Sequence, residues 1–227
     1  SIKFTDVVPA RFSYLSPSLE SISGFQFPVS GDLSFSMTED GGIGEEIQFD
    51  ILGGEGLLSI PDLIPEPLPV SSIVSSGKIG KNFESIELER LVIDAGGPIF
   101  SFSGKVLHQD EGLGLNAVFE FMEMPFNSLE AYWPEALMTK ARAWILGNVY
   151  DGVVANFRAI INISPGELDL VKKGMLANSL DINFSIRDAT VNYFPEQPFV
   201  YGVDGEGHAD GTSMTLHMWD GTVENLY

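Results

Sequence analysis

The strongest constraint on what this chain can fold into is a period-two pattern that recurs along most of its length. Leu33, Phe35 and Met37 alternate with Ser34, Ser36 and Thr38; after a turn cluster at residues 39–42, Ile47, Phe49 and Ile51 alternate with Gln48 and Asp50. Successive side chains of a strand project to opposite faces, so each run has one apolar and one polar face, and the pair predicts a hairpin. Residues 86–94 follow, then Phe100, Phe102, Gly104 and Val106. After a turn at 110–112, Leu113, Leu115, Ala117, Phe119 and Phe121 alternate without a break. The pattern returns at Val153, Ala155, Phe157, Ala159 and Ile161, at Leu180, Ile182, Phe184 and Ile186, and at Met214, Leu216 and Met218. A chain written this way is mostly β, with antiparallel strands and one solvated face.

The pattern is interrupted twice. Residues 61–70, PDLIPEPLPV, are excluded from a sheet interior because proline has no ladder donor; they read as an extended loop or an edge crossing. From 128 to 148 the spacing turns helical, with Leu137, Ala141, Trp144 and Ile145 on one face. Ser128 is placed to cap a first short helix, and Pro134 separates it from a second ending near Gly147. Residues 165–177 read as a short helix or a loop. SPSLESISGF at 16–25 and FNSLEAYWPE at 126–135 share a Ser-Leu-Glu start about 110 residues apart, each ahead of a long strand region. The expected division is a first β unit at 1–124, a helical connection at 125–148 and the start of a second β unit at 149–223. Residues 224–227, ENLY, match the opening of an engineered protease site and are read as a tag remnant. The start, SIKFTDVVPARF, has no signal-peptide character and reads as a cut inside a longer protein.

Composition narrows the function. Hydrophobic residues make up 44% of the chain and charged ones 19%, enough to fold around buried apolar surface. The 12 lysines and arginines face 32 acidic residues, a net charge of -20, which repels phosphate backbones and anionic headgroups and points away from nucleic acid. There is no cysteine, so disulfides and thiolate chemistry are excluded. No stretch reaches the ~18 apolar residues that a spanning helix needs.

Catalytic patterns are sparse. His108, His208 and His217 lack the helical spacing of a metalloenzyme; His208 and His217 approach each other if a hairpin joins them, with Asp210 nearby, and otherwise face solvent. DGGIG at 40–44 and GGEG at 53–56 lack a phosphate loop's lysine and helix, and read as turns and bulges. DGEGHADG at 204–211 resembles a calcium loop in composition without its fixed spacing. No nucleophile elbow occurs, although a carboxylate pair of glycosidase type is not settled by motif. The expectation is no enzyme, no metal and no cofactor. In the helical segment Trp133, Arg142 and Trp144 read as a structural plug over a sheet end, with Arg142 on helix-terminal carbonyls.

The segment YWPEALMTKARAWILGNVYDGVVANFRAII at 132–161 resembles the W-P, A-R-x-W and G-x-V pattern of AsmA-like envelope proteins, in particular the YhdP/TamB-related branch. VSGDLSFSMTEDGGI at 29–43 and LVIDAGGPIFSFSGKV at 91–106 are similar to that family's strand pairs. Tyr193, Pro195, Pro198 and Gly205 match a further region. The likeness runs from about Phe25 to Gly221 and carries no catalytic signature. It implies a periplasmic segment of an inner-membrane-anchored protein of a Gram-negative bacterium. The implied fold is a long curved antiparallel sheet of β-groove (taco) type with short helices between β units. The implied partners are phospholipid acyl chains, carried between inner and outer membranes, and neighbouring β-groove repeats. Groove liners would be Phe35, Met37, Phe49, Phe100, Phe102, Leu115, Phe119, Phe121, Phe157, Phe184 and Ile186. Acyl burial is worth about 0.8 kcal/mol per methylene, on the order of 10 kcal/mol for a sixteen-carbon chain, so a greasy path has a use. The alternative is a structural or protein-interaction β domain of the envelope, with the same residues forming a closed core. Periodicity does not separate the two, since both need one apolar face.

Overall fold

In a computed structural model of the chain, residues 1–61, 64–135, 137–167, 179–194 and 196–223 are described, with backbone alone at 18, 21, 64, 65 and 82. The strand β1 (Ile2–Val7) leads through 3-10 segments at Pro9–Leu15 and Pro17–Gly24 to β2 (Phe25–Gln26). The strands β3 (Val29–Met37), β4 (Ile43–Gly53), β5 (Gly56–Ile60), β6 (Ile64–Val70) and β7 (Ser72–Gly80) follow. After them come β8 (Ser85–Asp94), β9 (Ile99–Gln109) and β10 (Gly112–Pro125). Two helices, α1 (Phe126–Tyr132) and α2 (Thr139–Asn148), precede β11 (Val153–Ile163) and β12 (Leu180–Val191). The last strands are β13 (Val200–Asp210), β14 (Met214–Trp219) and β15 (Thr222–Val223).

The chain is therefore mostly β with a few short helices. Twelve strands form one large antiparallel sheet that does not close into a barrel, in the order β1-β3-β4-β7-β8-β9-β10-β11-β12-β13-β14, with β15 on β13. A separate three-stranded sheet has the order β2-β5-β6. The chain divides into two compact units, one of Ser1–Phe119 with Asn162–Asp169, the other of Glu120–Ile161 with Leu170–Tyr227. The helices thus group with the second unit, and the division falls inside β10.

In the first unit β3 and β4 form the expected hairpin, with Phe35 opposite Ile47 and Leu33 opposite Phe49. Of the two readings of the proline-rich stretch, loop or edge crossing, the described residues from Ile64 onward show the edge. They form β6, at the edge of the small sheet, with Leu58 opposite Leu68 and Leu57 opposite Pro69. Its prolines fall at every second position, so the missing donors all lie on the side away from β5. The GGEG stretch supplies no left-handed turn. Its glycines serve close approach instead: a Cβ on Gly53 would lie 3.1 Å from the Phe27 ring, and one on Gly56 would lie 2.4 Å from the Gln26 carbonyl oxygen. By contrast Gly41, in the β3–β4 turn, has φ +82, as the DGGIG reading required.

In the second unit α1 begins at Phe126 with Pro125 at its N-cap and no side-chain cap, so Ser128 lies inside the helix and caps nothing. Leu137 precedes α2 and does not share its face. The stretch composed like a calcium loop is largely β13, a strand that alternation did not reveal. Of residues 165–177, only 165–167 are described, as a turn.

Both units open on the same local device. Asp6 and Glu123 have positive φ (52° and 55°) near the end of a strand, and a proline shortly after them begins or precedes a helical segment. Acidic residues tolerate this left-handed conformation better than β-branched ones.

Candidate functional site

Pairing registers in the first unit convert the alternating residues into rows that cross the sheet. One row runs Phe35, Ile47, Ile79, Ile86, Val106 over β3, β4, β7, β8 and β9. The next runs Leu33, Phe49, Gly77, Leu88, Gly104, and a third runs Gly31, Ile51, Ser75, Leu91, Phe102. The fourth runs Val29, Gly53, Ile73, Ile93, Phe100. Directly opposed residues of antiparallel strands share a face, so these rows form one apolar surface. On the other face Ser34, Gln48, Lys78, Glu87 and Lys105 make a polar row. Ion pairs such as Lys78–Glu89 at 3.6 Å and Lys105–Glu87 at 3.9 Å cross that face.

The apolar face is covered unevenly. At the Val29 row the small sheet and Phe27 close it over, and Phe27, Val29, Leu58, Leu68, Val70, Ile73 and Phe100 are all buried. At the Phe35 row every residue is only half-buried. Beyond that row Met37 and Ile43 stand opposite each other, 63% and 53% exposed. The face is thus a small core at one end and, at the other, a partly exposed apolar row that ends at exposed Met37 and Ile43. Phe49 is buried because its ring lies over Gly77, where a Cβ would come within 2.8 Å of it.

The second unit repeats the arrangement. Phe157 faces Phe184, which faces Gly207 and then Leu216; Ala159 faces Ile182, Ala209 and Met214. Phe121 stacks on Phe157 with ring centroids 4.5 Å apart. The Phe184 ring lies over Gly207, and Gly205 leaves room for Ile186 and Met218. Phe157, Phe184, Leu216 and Met218 are half-buried. Met124, Ala189, Val191 and Val203 are sealed, and the helices add buried Phe126, Leu129 and Ile145. Arg142 holds the two helices together: its Nε donates to the Trp133 carbonyl at 3.2 Å and a guanidinium NH2 to the Glu130 carbonyl at 3.5 Å. Trp133 Nε1 donates to the Leu137 carbonyl at 2.9 Å, and both Trp133 and Trp144 are half-buried.

Of the residues singled out by sequence, Phe35, Phe49, Phe100 and Phe102 thus lie on the first unit's apolar face. Ala117 meets the space over Gly104 and Phe119 stacks on Phe100 at 5.9 Å, which brings β10 onto the same face with half-buried Leu115. Met37 lies past the last full row. Phe121, Phe157, Phe184 and Ile186 are gathered in the second unit, where Phe121 and Ile186 are buried. Sequence reading missed Ile47, Ile79, Ile86, Leu88, Leu91 and Val106 as liners. Those of β8 alternate with Glu87 and Glu89, but a register shift between Leu88 and Leu91 breaks the period.

The other candidates are polar and local. His208 pairs with Asp181 at 3.4 Å, while His217 faces Glu206 across β13 and β14. Asp210 accepts hydrogen bonds from the Thr212 and Ser213 amides, both at 2.7 Å, and these hold its carboxyl down at about 2. Its oxygens are spent on the turn. Among the described residues no group of three or more potential ligands is arranged to hold a metal ion, and no helix is long and apolar enough to cross a membrane. No family model, curated protein or solved structure matches the chain.

Proposed function

We propose that this chain is a lipid-bearing segment of an AsmA-like envelope protein, whose apolar sheet face guides phospholipid acyl chains between the inner and outer membranes. The observation that carries the reading is the partly exposed apolar row. A complete row of five strands, Phe35 to Val106, is apolar throughout yet only half-buried. Soluble proteins rarely leave a contiguous apolar surface of this kind without a use for it. Five strands at about 4.8 Å spacing span roughly 19 Å, the reach of an extended long acyl chain lying across them. The repeated opening device, Asp6 and Glu123, supports neighbouring units of the same design as partners. A periplasmic setting follows from the family resemblance.

The second reading is a structural or interaction domain of the envelope; the small closed cores of each unit favour it. Delipidated protein incubated with labelled phospholipid and read by native mass spectrometry separates the two. Retained lipid at defined stoichiometry is expected. A folded protein that takes up none overturns the lipid reading and leaves the interaction domain.

A further inference from the structure

The partly exposed strip of the first unit ends at a predominantly acidic rim. Beyond the Phe35 row lie Glu39 and Asp40 in the β3–β4 turn, Glu45 and Glu46 in β4, Glu84 before β8, and Asp110 and Glu111 in the β9–β10 turn, all exposed. Lys81, the one lysine among these connections, pairs with Glu45 at 3.1 Å. At the opposite, covered end the β4–β5, β6–β7 and β8–β9 connections carry Glu55 as their one charged residue. We propose that the occupant of this strip is a phospholipid bearing an ammonium headgroup, its tail lying across the strands and its ammonium set against the carboxylate rim. This rests on the lipid reading above and names its substrate class.

The two ends leave little choice of polarity. A tail entering from the rim lies on the half-buried rows, whereas at the other end the small sheet and Phe27 already occupy the face. The headgroup then sits beside carboxylates that outnumber the nearby cations Lys81 and Lys105. An anionic headgroup there meets an excess of like charge; a zwitterionic amine projects its ammonium into the field of the rim. The interaction is exposed, so it weakens as the Debye length shortens from about 10 Å at 0.1 M salt to about 3 Å at 1 M.

The test compares dipalmitoyl phosphatidylethanolamine with dipalmitoyl phosphatidylglycerol, identical in their tails, offered as an equimolar mixture to the delipidated chain and counted by native mass spectrometry. The expected result is at least about fivefold preference for the ethanolamine lipid at low salt, falling toward parity at 1 M salt. The variant Glu39→Gln/Glu46→Gln/Glu84→Gln/Asp110→Asn removes four exposed charges and leaves the apolar rows intact; it should load both lipids equally and keep its melting temperature. Equal loading by the unmodified chain, or a preference unmoved by salt and by the variant, overturns the headgroup assignment while leaving the groove. Failure to load either lipid overturns the groove itself.

Discussion

A graded set of substitutions along the first unit's apolar face tests whether that face is a core or a strip. Phe27 is 5% exposed and closes one end, so Phe27→Ala removes a packed ring and leaves a cavity. Such changes cost about 3–5 kcal/mol. Phe35 is half-buried with an open side, so Phe35→Ser forfeits transfer energy with little cavity, about 1–2 kcal/mol. Met37, 63% exposed, should lose less than about 0.5 kcal/mol on change to Ser. For a unit of this size about 4 °C accompanies each kcal/mol, so the melting temperature should fall by more than about 10 °C, by about 4–8 °C and by under about 2 °C respectively. Scanning calorimetry supplies these values. Lipid retention should follow a different order, with Phe35→Ser losing about fivefold at its modest thermal cost. If Phe35→Ser melts as early as Phe27→Ala, the strip is a packed core and the reasoning from its exposure fails.

Other consequences are as direct. Arg142→Ala removes the donors to the Glu130 and Trp133 carbonyls and should destabilise the second unit by about 1.5–3 kcal/mol, read by urea denaturation. Asp210 is held near 2 against an ordinary 3.8, so its stabilising effect is full above about pH 4 and is lost as pH falls through 2. The stability gap between the native chain and Asp210→Asn should therefore shrink on acidification over that range, and a constant gap contradicts the assignment. Gly207→Ala places a methyl where the Phe184 ring now lies and should swing that ring off the sheet, at a cost of about 1–3 kcal/mol seen with a changed Phe184 signal in NMR.

Much of the sheet was legible because alternation is a local signal: β3, β4, β8, β9, β10, β11, β12 and β14 all carry it. Two long strands that escaped, β7 and β13, did so for a common reason. In β13 the positions facing the apolar side are Gly205, Gly207 and Ala209, and in β7 they include Gly77 and Ser75. The missing volume is supplied by rings from the next strand, Phe184 over Gly207 and Phe49 over Gly77. A period counted within one strand does not register a neighbour's side chain. The same limit hid the difference between covered and uncovered rows, since it depends on where Phe27 and the small sheet fold back. Proline in β6 kept the strand out of a sheet interior, as read, but left loop and edge undecided, because its rule against ladder bonds holds for one side of a strand only.

That one-sidedness bears on how such a chain avoids clumping. A strand with its donors free is a template for another strand, and a greasy sheet makes the first mispairing hard to reverse. Along β6, Pro67 and Pro69 present ring carbons where a newcomer would look for amide hydrogens, so the small sheet does not grow past that edge. The edge of β1 has no such block among its described residues. Growth by strand pairing is thereby withheld by proline at the β6 edge of the first unit and not at its β1 edge.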